Sequence, residues 1–117
     1  MDGNEKKINF IEELSKRVHK AAKDALGSSL DRVILYGSYA RGDYDLDSDI
    51  DFMIIVNASQ EEASKERLAI SKRLSGIDLE FDILVSFSVT SSAIFHQYAE
   101  DLPFYRNILR EGVLIDG

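Results

Sequence analysis

Residues 37–51 read GSYARGDYDLDSDID, and what flanks this stretch decides the fold. Before it stands Arg32-Val33-Ile34-Leu35-Tyr36, a run of mostly β-favouring residues that stops at Gly37-Ser38. Such a run predicts a buried strand. After the polar segment from Tyr39 to Ser48, Ile50 to Val56 reads as a second strand. Side chains two apart on a strand share a face, with α-carbons about 6.5–7 Å apart. Asp49 and Asp51 are therefore expected on one face, continued by Met53 and Ile55. Ile50, Phe52, Ile54 and Val56 are expected to bury on the other.

The same stretch carries most of the acidity. Aspartates stand at 43, 45, 47, 49 and 51, and without them the formal charge would move from −7 to −2. Like charges this dense repel unless water or a cation neutralises them. A calcium loop would need Gly at its sixth position and Glu at its twelfth. Counted from Asp43 those are Ser48 and Ile54, and the preceding residues read as strand and glycine turn, not helix. Two carboxylates at the start of a strand suit Mg²⁺ better, because it takes oxygen ligands and keeps room for substrate phosphates. Two such ions about 3.5–4 Å apart form a clamp, and that clamp needs a third carboxylate from a neighbouring element.

Further out, Ile8, Ile11, Leu14, Val18, Ala22 and Ala25 recur at helical spacing, so Asn4 to Leu26 is predicted helical, with Asn4 capping it and Gly27 ending it. Lys6, Lys7, Lys16, Arg17, Lys20 and Lys23 read as its solvated face. Ser59 and Glu62 form a capping-box signature for a helix from about Gln60 to Leu74, ended near Gly76. Asp78 to Val85 alternates apolar and acidic residues and is predicted to be the third strand. It puts Asp78, Glu80 and Asp82 on the face opposite Leu79, Phe81, Ile83 and Val85. Asp82, between apolar neighbours, is the candidate third carboxylate, because a charge in such a run is costly unless paired or ligating. Glu80 is the fallback. An ordinary strand with a wet acidic face fits the periodicity equally well. Thr90 to Glu100 is predicted helical, Pro103 opens another short helix that Gly112 ends, and Val113 to Ile115 adds a short strand or docks on the core. The order of elements predicts a sheet with helices packed against it.

A chain of 117 residues without repeats or a Pro/Ser linker predicts one domain over 1–117. Fourteen basic against 21 acidic residues argue against an extended nucleic-acid groove. The absence of cysteine excludes a disulfide framework, a thiolate metal site and a cysteine nucleophile. His19 and His96 are too few for a multi-histidine zinc site and read as packed or solvated side chains. No secretory run or membrane-length apolar window stands in the sequence, so a soluble, cytoplasmic protein is expected.

At the turn itself, Gly37 lets backbone approach a ligand, and the Ser38 hydroxyl with nearby N–H groups can hold a phosphate. Arg41 can steady phosphate charge, and Gly42 lets the loop turn back. No Walker loop and no nucleophile elbow is present. Tyr36, Tyr39 and Tyr44 bracket the loop, as packing residues or as a base-stacking platform, and Asp43, Asp45 and Asp47 read as turn chemistry.

Gly37-Ser38-x-Ala40-Arg41-Gly42 followed by Ser48-Asp49-Ile50-Asp51 resembles the signature of the nucleotidyltransferase superfamily that includes DNA polymerase β and kanamycin nucleotidyltransferase. The short chain and the Ala-Arg-Gly variant resemble its minimal nucleotidyltransferase branch. The resemblance covers about Val33 to Val85. It implies an α/β (α+β) nucleotidyltransferase fold, a small mixed central sheet flanked by helices. It implies that Gly37, Ser38, Arg41 and Ser48 bind the nucleotide, and that Asp49, Asp51 and Asp82 are catalytic and ligate Mg²⁺, two ions in all. The implied reaction moves a nucleoside monophosphate, AMP from ATP, to a hydroxyl and releases pyrophosphate. The implied partners are a nucleoside triphosphate and either a HEPN-like protein, neutralised as in a toxin–antitoxin pair, or a second copy of the chain. Neither a templated nucleic acid nor a membrane is implied. The alternative is an antitoxin or regulatory module that acts by contact, with a vestigial nucleotide site. Ile94 to Leu109, with Phe95, Tyr98, Phe104 and Tyr105, is either core or a contact surface.

Overall fold

The computed structural model describes residues 3–45 and 47–116, with side chains from Phe10 onward. Asn4, Lys6, Lys7 and Ile8, singled out above, have side chains outside the described set, as does Leu46 of the polar segment. The strands are β1 (Leu30–Tyr36), β2 (Ile50–Val56), β3 (Val85–Ser91) and β4 (Val113–Ile115). The helices are α1 (Gly3–Leu26), α2 (Ser38–Arg41), α3 (Gln60–Leu74), α4 (Ile77–Phe81), α5 (Ser92–Asp101) and α6 (Pro103–Glu111). One 3₁₀ turn, Gly27–Ser29, joins α1 to β1. The expected mixed sheet is present, in the order β3-β2-β1-β4. β1 runs antiparallel to both β2 and β4, whereas β2 and β3 are parallel. A parallel pair needs a long crossover, which α3 and α4 supply. No helix among the described residues is long and apolar enough to cross a membrane.

β2 lies inside the sheet, and its alternation sorts the two cores. Ile50, Phe52, Ile54 and Val56 bury with Val33 and Leu35 of β1, Leu14, Val18 and Ala22 of α1, and Ala63, Ile70 and Leu74 of α3. Met53 and Ile55 face the other way, onto Ile34, Phe95 of α5 and Ile108 of α6. Phe95 and Ile108 thus belong to the core, while Leu102, Phe104 and Leu109 stay exposed.

Helix ends follow the polar residues available. The backbone of Asn4 lies in the first turn of α1, and its side chain, expected to cap that helix, lies outside the described residues. The Ser59 hydroxyl accepts a hydrogen bond from the Glu62 N–H at 3.2 Å and starts α3 as expected. Ser59→Ala is expected to lower the unfolding free energy by about 1 kcal/mol, the usual worth of such a cap. A urea melt with an unchanged midpoint would contradict that assignment. Gln60 ties the crossover to the sheet: its amide donates to the Val89 carbonyl at 3.3 Å and accepts from the Ser91 N–H at 3.0 Å. Ser91 also caps α5 by accepting from the Ile94 N–H, so that helix starts at Ser92 and not at Thr90.

The third strand departs from the sequence expectation. It spans Val85–Ser91, not Asp78 to Val85, and Ile77–Phe81 is a short helix. Leu79, expected inside, is 86% exposed. Ile77 and Phe81, four apart, point inward together, and the Phe81 ring meets Phe10 edge-on at 5.4 Å. Val85, Phe87 and Val89 alternate with polar residues as well, and they lie level with Ile50, Phe52 and Ile54. Both windows have period two. The one whose apolar face extends the larger core pairs with β2.

Candidate active site

The end of β1 and the start of β2 meet at one level: Tyr36 is the register partner of Asp51. Gly37 follows with φ 76° and ψ −154°, a conformation that only glycine adopts without strain. A Cβ built there would lie 2.6 Å from Asp51 Oδ2, so the carboxylate occupies the space that glycine leaves open. The chain then makes one turn of helix, α2. The Gly37 carbonyl accepts from the Ala40 and Arg41 N–H groups, and the Ser38 carbonyl accepts from Gly42 and Asp43.

On this side of the sheet, Ser38, Arg41 and Asp51 share a cleft of about 400 Å³ with Tyr36 and Gly37; Phe104, Asn107 and Glu111 of α6 close it. Sequence reasoning missed the α6 contribution. Its signal was the spacing of Phe104, Ile108 and Glu111 along one helix face, which reads equally well as core packing. Phe104 packs edge-on against Tyr36, with ring centroids 5.9 Å apart. Arg41 donates from Nε to Asp43 Oδ2 at 3.1 Å and lies 3.9 Å from Glu111 Oε2, which holds the guanidinium in the cleft.

Burial, and then the neighbouring Asp49 charge, push the Asp51 carboxyl above its ordinary range; Arg41 offsets only part of this. Burial first, and then Asp51, push the Tyr36 phenol up. Asp49 is exposed, immediately before β2.

The loop between α2 and β2 is braced by Asp45 and Ser48. Asp45 Oδ1 accepts from the Asp47 N–H at 2.9 Å and from the Ser48 hydroxyl at 3.2 Å, while Ser48 Oγ accepts from the Asp45 N–H at 3.0 Å. Ser48, expected to bind nucleotide, therefore has its hydroxyl engaged in shaping the approach to Asp49.

Asp82 is not on a strand. It ends α4 with φ 53° and lines a separate cavity of about 360 Å³ with Phe10 and Ile11 of α1, Tyr39, Tyr44 and Asp45. Tyr39 and Tyr44 stack there at 4.2 Å. Neither Asp51 nor Ser38 lines that cavity. Glu80, the fallback, pairs with Arg17 of α1 at 2.8 Å. Among the described residues, no three His, Cys, Asp or Glu side chains are placed to hold a metal ion together. The expected strand position of Asp82 beside β2 is not what the fold gives: it stands at a helix end and does not line the cleft that Asp51 lines. The donor set that remains, two adjoining carboxylates beside a glycine that clears space for one of them, fits one hard divalent cation.

The chain is similar to known proteins. Over 98 residues the chain is 39% identical to the "Putative protein adenylyltransferase MJ0141" of Methanocaldococcus jannaschii, covering 84% of this chain and 93% of that one. Over 101 residues it is 29% identical to the "Putative protein adenylyltransferase MJ0604" of the same organism, covering 86% and 93%. The crystal structure of a "putative nucleotidyltransferase" from Sulfolobus solfataricus superposes with a TM-score of 0.59 at 24% identity, over 88% of this chain and 77% of that one, and shows the same fold. With the nucleotidyltransferase domain model matching residues 9–115, the chain belongs to the nucleotidyltransferase domain family and is an enzyme of that class.

Proposed function

We propose that this nucleotidyltransferase transfers AMP from ATP to a hydroxyl on a protein and releases pyrophosphate. One observation carries the reading: the Asp51 carboxylate stands against Gly37, in a cleft it shares with Ser38 and Arg41. The choice of an adenylyl group and a protein acceptor is supported by the names of the Methanocaldococcus relatives. In the reaction an acceptor oxygen bonds to the α-phosphorus, the bond from that phosphorus to the α–β bridging oxygen breaks, and the acceptor proton leaves. The Ser38 hydroxyl and the Arg41 guanidinium bind phosphate oxygens, and Tyr36 and Phe104 wall the cleft against water. Asp49 and Asp51 would hold Mg²⁺, which when bound offsets charge on the reacting phosphates. The acceptor hydroxyl is carried by another protein molecule, in keeping with the names of those relatives. The family resemblance proposes a HEPN-type partner with a tyrosine acceptor, in the cytoplasm, and an antitoxin role.

The test is incubation of the purified protein with α-phosphate-labelled ATP, Mg²⁺ and lysate of its own source. A labelled protein band is expected and identifies the acceptor. Absence of label from every band, with candidate partner proteins present, would overturn transfer. A second reading, nucleotide binding without turnover in a contact-only module, is favoured by the lack of a third acid among the described residues.

A further inference from the structure

Resting on that nucleotide-site reading, we infer that Ser86 occupies the acceptor-side carboxylate position of this site. The chain by itself then holds a single, nucleotide-bound divalent cation, and the charge that activates the acceptor comes from outside the chain.

The β2/β3 register sets the level of this position. The strands are parallel, and Asp51 is the partner of Ser86. Partners at one level of a sheet point to the same face, with neighbouring strands about 4.8 Å apart. The pairs on either side support this. Ile50 with Val85 and Phe52 with Phe87 face the larger core, which leaves Asp51 and Ser86 together on the other side. A carboxylate reaching the Asp51 side from β3 would therefore start at residue 86. The next residue on that face, Ser88, is level with Met53, deeper along the sheet.

Ser86 is exposed on the edge strand, so nothing there prevents a larger acid from standing in its place. Serine is a neutral donor there. Its hydroxyl carries no charge to attract a second hard cation, and it is too weak a base to take a proton near neutrality.

Among the described residues, the other acids named above stand elsewhere. Glu80 pairs with Arg17, Asp43 with Arg41, and Asp82 lines the α1-side cavity. Glu111 reaches the cleft but lies 3.9 Å from both Arg41 and Arg110. The mismatch is thus specific: the nucleotide side of the site is built, and among the described residues the acceptor side lacks its acid.

The experiment counts Mn²⁺ by electron paramagnetic resonance on the full chain, saturated with the non-transferable analogue α,β-methylene-ATP. The wild-type complex is expected to bind one Mn²⁺, and Ser86→Ala and Asp82→Asn are expected to match it. Ser86→Asp is expected to bind two, with spectra broadened by coupling between ions about 3.5–4 Å apart. Ser86→Glu offers the same charge on a longer stem should the aspartate variant fold poorly. Two ions in the wild type, a count lowered by Asp82→Asn, or one ion in both acidic variants would overturn the inference and leave the nucleotide site standing. A wild-type chain that binds neither Mn²⁺ nor the analogue would overturn both.

Discussion

Asp51→Asn is expected to abolish nucleotidyl transfer while leaving a folded protein. The amide keeps the shape of the carboxylate but not its charge, and it cannot serve as an anionic ligand. Removing one preorganised electrostatic group from an active site typically costs roughly 10²–10³-fold in rate. Here the loss should reach at least that scale, because Asp51 is the half-buried member of the pair and stands against Gly37. Stability should hold or rise slightly, since the substitution relieves repulsion from Asp49 and removes the cost of burying a charge. Label transfer measured on the purified variant checks the rate, and a thermal melt checks the fold. If an Asp49→Asn/Asp51→Asn double variant transferred label at the wild-type rate, the assignment of this pair to the reaction would be wrong.

Gly37→Ala is expected to damage both fold and activity, through two separable causes. With φ 76° and ψ −154°, the residue sits where an L side chain costs about 1–3 kcal/mol. That cost should appear as a lower unfolding free energy in urea. The added methyl would also stand 2.6 Å from Asp51 Oδ2. A carboxylate can rotate away from such a contact, so the clash adds little to the loss of stability. It does move the carboxylate, and a displacement of about 1 Å at a reacting centre can cost roughly 10²-fold in rate. Transfer should therefore fall far more than the fraction of folded protein does. A variant as stable and as active as the wild type would mean that the space beside Asp51 is not used.

Much of the fold was legible because it is written locally. β1 stops where Gly37 turns, and β2 begins where Asp49 gives way to Ile50. Ser59 announces α3, and Pro103 opens α6. The two faces of β2 follow from its own alternation: Phe52 lies in one core and Met53 in the other. The Gly37–Ser38 turn and the Asp49/Asp51 pair were readable for the same reason, since the residues that make up this half of the site lie within fifteen positions of chain.

The other half was not readable in that way. Residues 78–91 contain two alternating windows that share Val85, one from Asp78 to Val85 that holds Asp82 and the next running through Ser86 and Ser88. Periodicity is the same in both. A choice between them depends on β2, some thirty residues earlier in the chain, whose apolar side is level with Val85, Phe87 and Val89. Ile77 and Phe81 meanwhile pack as one helical turn against the larger core and Phe10, and Leu79 is left exposed. By itself, then, the sequence determined the β-turn-β unit with its acidic pair and the family to which it belongs. Only the tertiary structure decided that Asp82 faces α1, that α6 closes the cleft and that Ser86 is the residue beside Asp51. Those positions are set by the burial of apolar faces between distant segments, a quantity that no single stretch of chain contains.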